Sequence, residues 1–180
     1  MNKAPEKDSL TTRQLEIIAY QYLYKQGTYL CREVSMPTEH RGMPIKERVD
    51  MCSYDTQGVW RFYEFKISVS DFRSHNNNTF YGNLNYYVLP MRVYQIVHDE
   101  IPKNIGVFLC NKDRLTLDCI RKATRQELGV DEEKLKFNFM QALSRDNTKR
   151  YRKDFWNMHD AALQQSTRKS DELTGVLDVI

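Results

Sequence analysis

The sequence predicts an α/β fold in which a mixed sheet is flanked by helices. Apolar residues recur at helical spacing near the start of the chain, and three strand-like segments joined by turn-forming residues follow. Residues 86–89 (YYVL) and 105–109 (IGVFL) are short, wholly apolar runs, which are typical of strands buried on both faces. The order helix, three meandering strands, helix, strand, helix, strand therefore predicts a mixed sheet.

The first helix is expected to follow a cap at Ser9, Thr11 or Thr12. It should run to about Gln26, where Gly27 would stop it. Its apolar face is formed by Leu15, Ile18, Ala19, Tyr22 and Leu23.

Three strands are predicted next, and the last two form a hairpin. In order, the segments are a strand over residues 29–36, a turn-rich connection over 37–44, a strand over 46–54, a turn over 55–58 and a strand over 59–68. The hairpin is therefore expected to pair the second and third strands in antiparallel fashion.

The second half of the chain predicts alternating helices and strands. Ser70 or Asp71 is expected to cap a helix that ends near Thr79. A helix over residues 92–100 lies between the two apolar strands, and residues 115–120 form a strand near the sheet edge. Asp131 should open a long helix, whose core face is expected to contain Leu135, Phe137, Phe139, Met140 and Leu143.

The chain is expected to form one domain with additions at its ends. These parts are a flexible N-terminus over residues 1–8, a core over 9–125, a helical extension over 126–168 and a tail over 169–180. The N-terminal residues lack the apolar segment of a signal peptide, and no run approaches the ~18 apolar residues of a membrane span. We therefore expect a cytoplasmic protein without a membrane partner, in which Cys31, Cys52 and Cys110 are buried free thiols.

Asp50, Glu64 and Lys66 are the main functional candidates. Asp50 ends one apolar strand and Glu64 and Lys66 share a face of the next, so two carboxylates and an ammonium are expected at one spot. Tyr63, Phe65 and Ile67 should point to the other face. Converging carboxylates repel each other and favour one shared proton, and Lys66 would relieve part of that repulsion.

The trio is suited to a divalent metal, Mg²⁺ or Mn²⁺. Such an ion is held by one or two carboxylates that leave room for water and phosphate. Asp50 and Glu64 are expected to bind it, with the main-chain carbonyl of Phe65 within reach, and Lys66 would orient water or neutralise a phosphate. A cross-strand salt bridge among exposed residues would show the same residue types, so that interpretation stays open.

The motifs around the trio resemble those of the MmcB-like DNA repair proteins, which belong to the PD-(D/E)xK nuclease superfamily. The resemblance covers about residues 29–110. It is carried by Arg48-Val49-Asp50, Tyr63-Glu64-Phe65-Lys66-Ile67-Ser68, Ser70-Asp71-Phe72-Arg73-Ser74 and Tyr86-Tyr87-Val88-Leu89-Pro90. The resemblance implies a restriction-endonuclease-like αβββαβ core with Asp50, Glu64 and Lys66 as the catalytic trio.

The resemblance also implies one further metal ligand beside the trio, and the sequence departs from the family pattern in one segment. Many members add a glutamate to the metal ligands, for which Glu16 or Glu33 would be the candidate. The family tends to show an acid, a lysine and a tryptophan after the Asp-Phe-Arg-Ser run. In this chain His75, Asn77 and Asn78 stand in those places, while Tyr81 keeps the aromatic character.

Candidates for nucleic-acid binding lie in two segments. Arg73 and His75 follow the trio, and Lys149, Arg150, Arg152 and Lys153 form a basic stretch beside Tyr151 and Trp156, whose rings could stack on unpaired bases. The net charge of +3 permits an anionic partner without requiring one. The basic stretch could equally be the solvated face of a helix, and Arg73 could pair with Asp71.

Three functions follow from these patterns. The first is a metal-dependent nuclease that hydrolyses phosphodiester bonds in DNA, in DNA repair or in phage or defence DNA processing. The second is a catalytically weak or inactive module of the same fold that binds nucleic acid or a protein. The third is a phage or defence-related inhibitor or effector that uses its C-terminal half. The sequence leaves open the form of the nucleic acid, DNA against RNA, and the oligomeric state, for which a homodimer is one option.

Overall fold

The computed structural model describes residues 10–40, 43–44, 47–74, 78–111, 113 and 115–177, without the side chains of 39, 40, 43, 44 and 165–177. The predicted flexible segment 1–8 and the end of the predicted tail, 178–180, lie outside the described residues. The chain divides into two compact units, Met1–Ala142 and Leu143–Ile180.

The first unit contains alternating helices and strands. In chain order the elements are α1 Thr12–Leu23, β1 Thr28–Ser35, β2 Glu39–His40, β3 Met43–Pro44, β4 Arg48–Asp55, β5 Trp60–Phe65, α2 Val69–Arg73, β6 Leu84–Pro90, α3 Met91–Val97, a 3-10 turn His98–Glu100, β7 Gly106–Asn111, β8 Thr116–Arg121 and α4 Glu132–Leu177. Residues of α4 up to Ala142 belong to this unit, and those from Leu143 form the second.

Six of the strands form one mixed sheet, which confirms the predicted α/β class. Their order is β1-β4-β5-β6-β7-β8, while β2 and β3 pair separately. The three strands β5, β6 and β7 are parallel, and the neighbours β1/β4, β4/β5 and β7/β8 are antiparallel. The strand predicted near residues 115–120 does lie at the edge of the sheet.

The first helix is shorter than its sequence predicts. Thr11 is its cap and forms a capping box with Gln14, so one of the three predicted caps is correct. The helix ends at Leu23 rather than near Gln26. Gly27, the predicted stop, instead belongs to the turn that leads into β1, where its φ of 75° favours glycine.

The helix after the trio also differs from the prediction. Ser68 caps it, because the Ser68 side chain accepts a hydrogen bond from the Asp71 N–H at 3.1 Å. The predicted caps Ser70 and Asp71 lie inside the helix, and Arg73 rather than Thr79 is its last residue. Asp71 still caps a backbone group, since its carboxylate accepts from the Ile67 N–H at 3.1 Å.

The hairpin of β4 and β5 forms as predicted, although β5 ends at Phe65 rather than at Ser68. The Asp55 carboxylate holds the turn by accepting hydrogen bonds from the Gln57 and Val59 N–H groups, both at 3.0 Å. Gly58 completes it with a φ of 75°. The register pairs Met51 with Tyr63 and Tyr54 with Trp60.

Both faces of the sheet are buried. On one face α1 packs against a cluster that contains Tyr63, Phe65 and Val88, with Ile67 at its border. On the other face are two clusters, one built with Leu135, Phe139 and Ala142 of α4 and the other with Val93 and Val97 of α3. As predicted, Cys31, Cys52 and Cys110 are buried thiols that form no disulfide among the described residues.

The predicted core face of α4 is only partly correct. Leu135 and Phe139 are buried, but Phe137 is 56% exposed and Met140 60% exposed. The buried positions are 135, 139 and 142, so the contact face is a narrow stripe and the two intervening apolar residues point elsewhere. In the second unit Leu143 is 39% exposed, which contradicts its predicted burial.

Among the described residues, no helix is both long and apolar enough to cross a membrane. This holds for α4, whose large apolar residues after Ala142 are interspersed with charged ones.

Candidate active site

Asp50 and Glu64 face each other where the β4–β5 ladder opens. The paired register ends at Met51 and Tyr63, so Asp50 and Glu64 occupy the next opposed position. There the Asp50 side chain takes the place of a ladder acceptor, because the Phe65 N–H donates to Asp50 Oδ2 at 2.9 Å. The end of the hairpin thus holds the first carboxylate against the second strand.

Glu64 is buried and held from the far side of the site. Glu64 is only 5% exposed to solvent. The Thr79 N–H donates to Glu64 Oε1 at 3.1 Å, and the Thr79 hydroxyl donates to the same oxygen. Thr79 is itself 1% exposed, so this carboxylate is fixed by a residue distant in sequence and shielded from water.

Lys66 follows β5 and extends its pairing with β6 by one residue. The Lys66 N–H donates to the Val88 carbonyl at 3.2 Å, which keeps the backbone extended and places Lys66 on the same face as Glu64. Lys66 is only 6% exposed, and its charge acts on both Asp50 and Glu64. The structure therefore brings all three predicted residues together.

The two carboxyl groups share an environment that disfavours two negative charges. Burial, together with the charge of Asp50, raises the pKa of Glu64 to about 8. Burial also raises the pKa of Asp50, although hydrogen bonds from the Phe65 N–H and with the Glu64 carboxyl oppose that shift. Lys66 lowers both pKa values, so its ammonium offsets part of the repulsion.

The donors around the carboxylates fit a hard divalent cation. Carboxylate and carbonyl oxygens are the ligands that Mg²⁺ and Mn²⁺ prefer. The Phe65 carbonyl points to the β4 side, because in an extended strand it lies on the same side as the Phe65 N–H that reaches Asp50. The described residues contain no group of three His, Cys, Asp or Glu side chains suited to a metal, so the fit rests on Asp50, Glu64 and this carbonyl.

A buried amide oxygen lies next to Thr79 in sequence. Asn78 Nδ2 donates to the Tyr87 hydroxyl at 2.8 Å, while Asn78 Oδ1 is buried and has no hydrogen-bond partner among the described residues. Burial, with a smaller contribution from the charge of Glu64, raises the pKa of Tyr87 to about 12. An amide oxygen of this kind can accept a hydrogen bond or bind a cation.

Among the described residues, neither predicted extra glutamate forms a hydrogen bond or ion pair with Asp50 or Glu64. Glu16 pairs with Arg32 and, at 3.1 Å, with Arg13. Glu33 lies 3.5 Å from Arg48 and has a φ of 53°, which interrupts the β1–β4 register at the position opposite Asp50. Asp71 does act on the site, since its charge adds to burial in raising the pKa of Asp50.

The predicted nucleic-acid-binding residues fall in different parts of the chain. Arg73 forms a two-pronged pair with Glu100, in which Arg73 Nε and Nη2 donate to the carboxylate at 3.1 and 2.5 Å, and it does not pair with Asp71. His75 lies outside the described residues. The basic residues Lys149, Arg150, Arg152 and Lys153 belong to the second unit and are exposed on α4.

Sequence reasoning missed Thr79, Asn78 and the role of Asp71 near Asp50. Thr79 was predicted only as the end of a helix, and Asn78 only as a departure from a family pattern. Polar residues between an apolar strand and the Glu-x-Lys strand were a weak signal, because polar loops usually face water. Only the path of the chain after α2 brings the Thr79 backbone to Glu64.

Replacing Thr79 by valine is expected to move the ionisation of Glu64 to higher pH. The hydroxyl hydrogen bond lowers the pKa of Glu64, and valine keeps the volume while removing that donor. NMR titration of side-chain-labelled Glu in chelator should show a midpoint higher by about one unit, which is the size of one net hydrogen bond to a charged group. Thr79→Ser is the matched control and should titrate like the original protein. Equal midpoints for the valine and serine variants would contradict this role.

Comparison with known proteins yields a likeness of fold. No protein-family model matches the chain, and no curated protein matches it. Among solved structures, the chain is similar to a protein of unknown function from Silicibacter pomeroyi, with a TM-score of 0.55 and 18% sequence identity. The match covers 77% of this chain and 87% of that protein. At this identity the likeness concerns the fold alone.

Proposed function

We propose that this protein is a metal-dependent nuclease of the PD-(D/E)xK type, built on a restriction-endonuclease-like core related to the MmcB-like DNA repair proteins. The observation that carries the proposal is the convergence of Asp50 and Glu64 at the open end of one hairpin, beside the buried ammonium of Lys66. Folding alone does not favour this arrangement, because two buried carboxylates at one spot destabilise each other.

The proposed substrate is DNA and the proposed cofactor Mg²⁺ or Mn²⁺. When bound, the ion would supply charge that stabilises the phosphoryl transition state and would favour ionisation of an attacking water. Asp50, Glu64 and the Phe65 carbonyl would hold it. The Thr79 N–H fixes the orientation of Glu64, and the Phe65 N–H fixes that of Asp50, so both ligands are aligned before an ion arrives.

Lys66 has a distinct part in the proposed reaction. Its ammonium is buried beside the carboxylates, where charge interactions are stronger than in bulk water. With Asp50 and Glu64 engaged in holding a cation, the ammonium would be available to a non-bridging phosphate oxygen or to the attacking water. It would then stabilise the negative charge that increases as the bond to the leaving oxygen breaks.

A second candidate function is a module of the same fold that binds nucleic acid or a protein without cleaving DNA. The pairing of Arg73 with Glu100 favours it, because the cation nearest the trio in the family motif is engaged by an acid. The two candidates differ in what chelation does. Binding by the second would persist unchanged in a chelator and would not depend on Asp50.

The test is a cleavage assay on end-labelled DNA with Mg²⁺ or Mn²⁺. Single strands, duplexes, flaps and junctions should be compared, with RNA as a further substrate. We expect cleavage that a chelator abolishes and that falls at least about 100-fold in Asp50→Asn, because Asn keeps the acceptor for the Phe65 N–H but lowers the ligand charge. Asp113→Asn, an aspartate outside the trio, is the control. Cleavage that survives in Asp50→Asn would show that another site, or a contaminant, is responsible.

A further inference from the structure

The second unit contains a helix surface that the proposed reaction does not use. We propose that this surface, formed by Lys149, Arg152, Lys153 and Trp156 and called here the basic–aromatic face, binds single-stranded nucleic acid. This inference rests on the proposed function only for the biological role of the bound nucleic-acid strand. Its physical basis is independent, since it lies in residues 143–164, whose side chains the structure describes.

Helical spacing places these four side chains on one face. Positions i, i+3, i+4 and i+7 are neighbours on a helix, and Lys149, Arg152, Lys153 and Trp156 have that spacing within α4. From Lys149 to Trp156 the axis rises about 10 Å, because each residue adds about 1.5 Å. Three cations, followed by one indole ring, therefore lie along a short strip of surface.

The cations of this face are accessible. All four residues are exposed, and Trp156 is 57% exposed. Within residues 143–164 the described contacts between basic and acidic side chains join Arg145 to Asp146 and His159 to Asp160, and they do not include Lys149, Arg152 or Lys153. Three positive charges without an acidic partner in this segment complement a phosphate backbone.

Ring contacts hold the indole at the end of the basic stretch. Phe155 lies 5.4 Å from Trp156 and His159 lies 5.3 Å from it, both edge to face by ring centroids. These contacts limit the rotation of the indole, which is still 57% exposed. A flat aromatic face next to cations is how proteins bind unpaired bases, because every base has a π-face and every linking phosphate a charge.

The chemistry of this face favours a single strand over the alternatives. In a duplex the base faces are stacked on one another, so an exposed indole would have no base to stack on. A membrane surface would favour aromatic and apolar residues on the side opposite the cations. Here Trp156 lies within the cationic face. A second copy of this chain would bring like charges together across the same surface.

The test uses the full chain carrying Asp50→Asn, in chelator, so that binding is measured without cleavage. Anisotropy of a labelled oligothymidine should show Trp156→Ala binding at least about tenfold more weakly, as expected for loss of one stacked base. Lys149→Glu combined with Arg152→Glu should weaken binding similarly and reduce the slope of log affinity against log salt by about 1.4, for two phosphate contacts on a single strand. Oligonucleotide should also quench the fluorescence of an exposed indole in the Asp50→Asn protein and fail to do so in Trp156→Ala.

Matched controls separate this surface from general effects. Phe137→Ala removes an equally exposed ring from the same helix, 56% exposed, and Lys25→Glu with Lys103→Glu makes the same charge change on the first unit. Both should bind like the Asp50→Asn protein. The proposal would be overturned if Trp156→Ala bound the oligonucleotide as tightly as the Asp50→Asn protein does, or if the double charge variant left the salt slope unchanged. It would also be overturned if the variants lost binding to anionic vesicles or to a second copy of the chain but not to the oligonucleotide. If binding requires Trp156 but no DNA is cleaved, the proposed reaction fails and this inference stands. If DNA is cleaved but binding does not require Trp156, the proposed reaction stands and this inference fails.

Discussion

Lys66→Met is expected to lower metal-dependent DNA cleavage by about 1,000-fold while leaving the protein folded. Electrostatic and proton-transfer groups in enzyme sites typically contribute factors of this size when they are removed. Methionine matches the length and apolar stem of the lysine, so the buried space stays filled. The missing ammonium also removes a charge that lowers the pKa of Glu64, which should move the pH dependence of any residual activity to higher pH.

Single-turnover cleavage with saturating Mn²⁺ measures this effect, and calorimetric Mn²⁺ titration shows whether the ion still binds. We expect Mn²⁺ affinity to change by less than tenfold, because the carboxylates remain and a nearby positive charge is lost. Lys103→Met, which removes an exposed lysine from the first unit, should behave like the original protein. Activity of Lys66→Met within tenfold of the original would mean that this ammonium has no part in the reaction.

Glu64→Gln is expected to stabilise the metal-free protein at pH 8 by about 2–4 kcal/mol. The folded state raises the pKa of Glu64 from 4.5 to about 8. Glutamine is nearly isosteric and keeps an amide oxygen for the Thr79 N–H, but it carries no charge. The variant should therefore lose the penalty for a buried ionised carboxyl beside Asp50 while it retains the local hydrogen bond.

The direction of the pH effect follows from where the proton is held. Below the unfolded value of 4.5 both states keep the proton, and Glu64 imposes no penalty. As the pH rises toward about 8, the unfolded chain releases the proton and the folded protein retains it, so the free energy of unfolding falls. The loss is complete above the folded pKa, where both states are ionised.

Urea unfolding in chelator between pH 5 and 8.5 measures this contribution. The original protein should lose stability across that range, whereas Glu64→Gln should be nearly flat and Glu127→Gln, an exposed control, should follow the original protein. Added Mn²⁺ should restore the original protein at pH 8 but stabilise the glutamine variant much less. Parallel pH curves for the original and Glu64→Gln would show that the carboxyl titrates normally in the folded protein.

Local sequence features were enough to predict the hairpin and its two acids. Asp55 and Gly58 specify the turn, and the two-residue period of a strand then places Glu64 and Lys66 on one face opposite Tyr63 and Phe65. Residues near one another in sequence control that geometry. The same reason explains why the edge strand after β7 and the long helix after Asp131 could be predicted.

The contacts that close the site were not predictable in this way. Glu16 and Glu33 were candidates by residue type, yet they pair with Arg32 and Arg48, whereas the charge of Asp71 acts on Asp50. The prediction that Phe137 and Met140 lie on the buried face of the helix was wrong for a related reason. Periodicity shows that a helix is amphipathic, but the residues it packs against decide how wide its buried stripe is.

The sequence by itself determined the mixed sheet and the pair of carboxylates with a lysine at the end of one hairpin, because short-range turns and strand alternation specify them. Only the tertiary structure decided what surrounds those charges. The Thr79 hydrogen bonds to Glu64 and the engagement of Arg73 by Glu100 depend on how distant segments pack. So does the Asn78 oxygen that is buried without a hydrogen-bond partner among the described residues. Burial then turns an ordinary glutamate into one whose pKa is about 8, since the penalty for a charge depends on the water that the fold excludes.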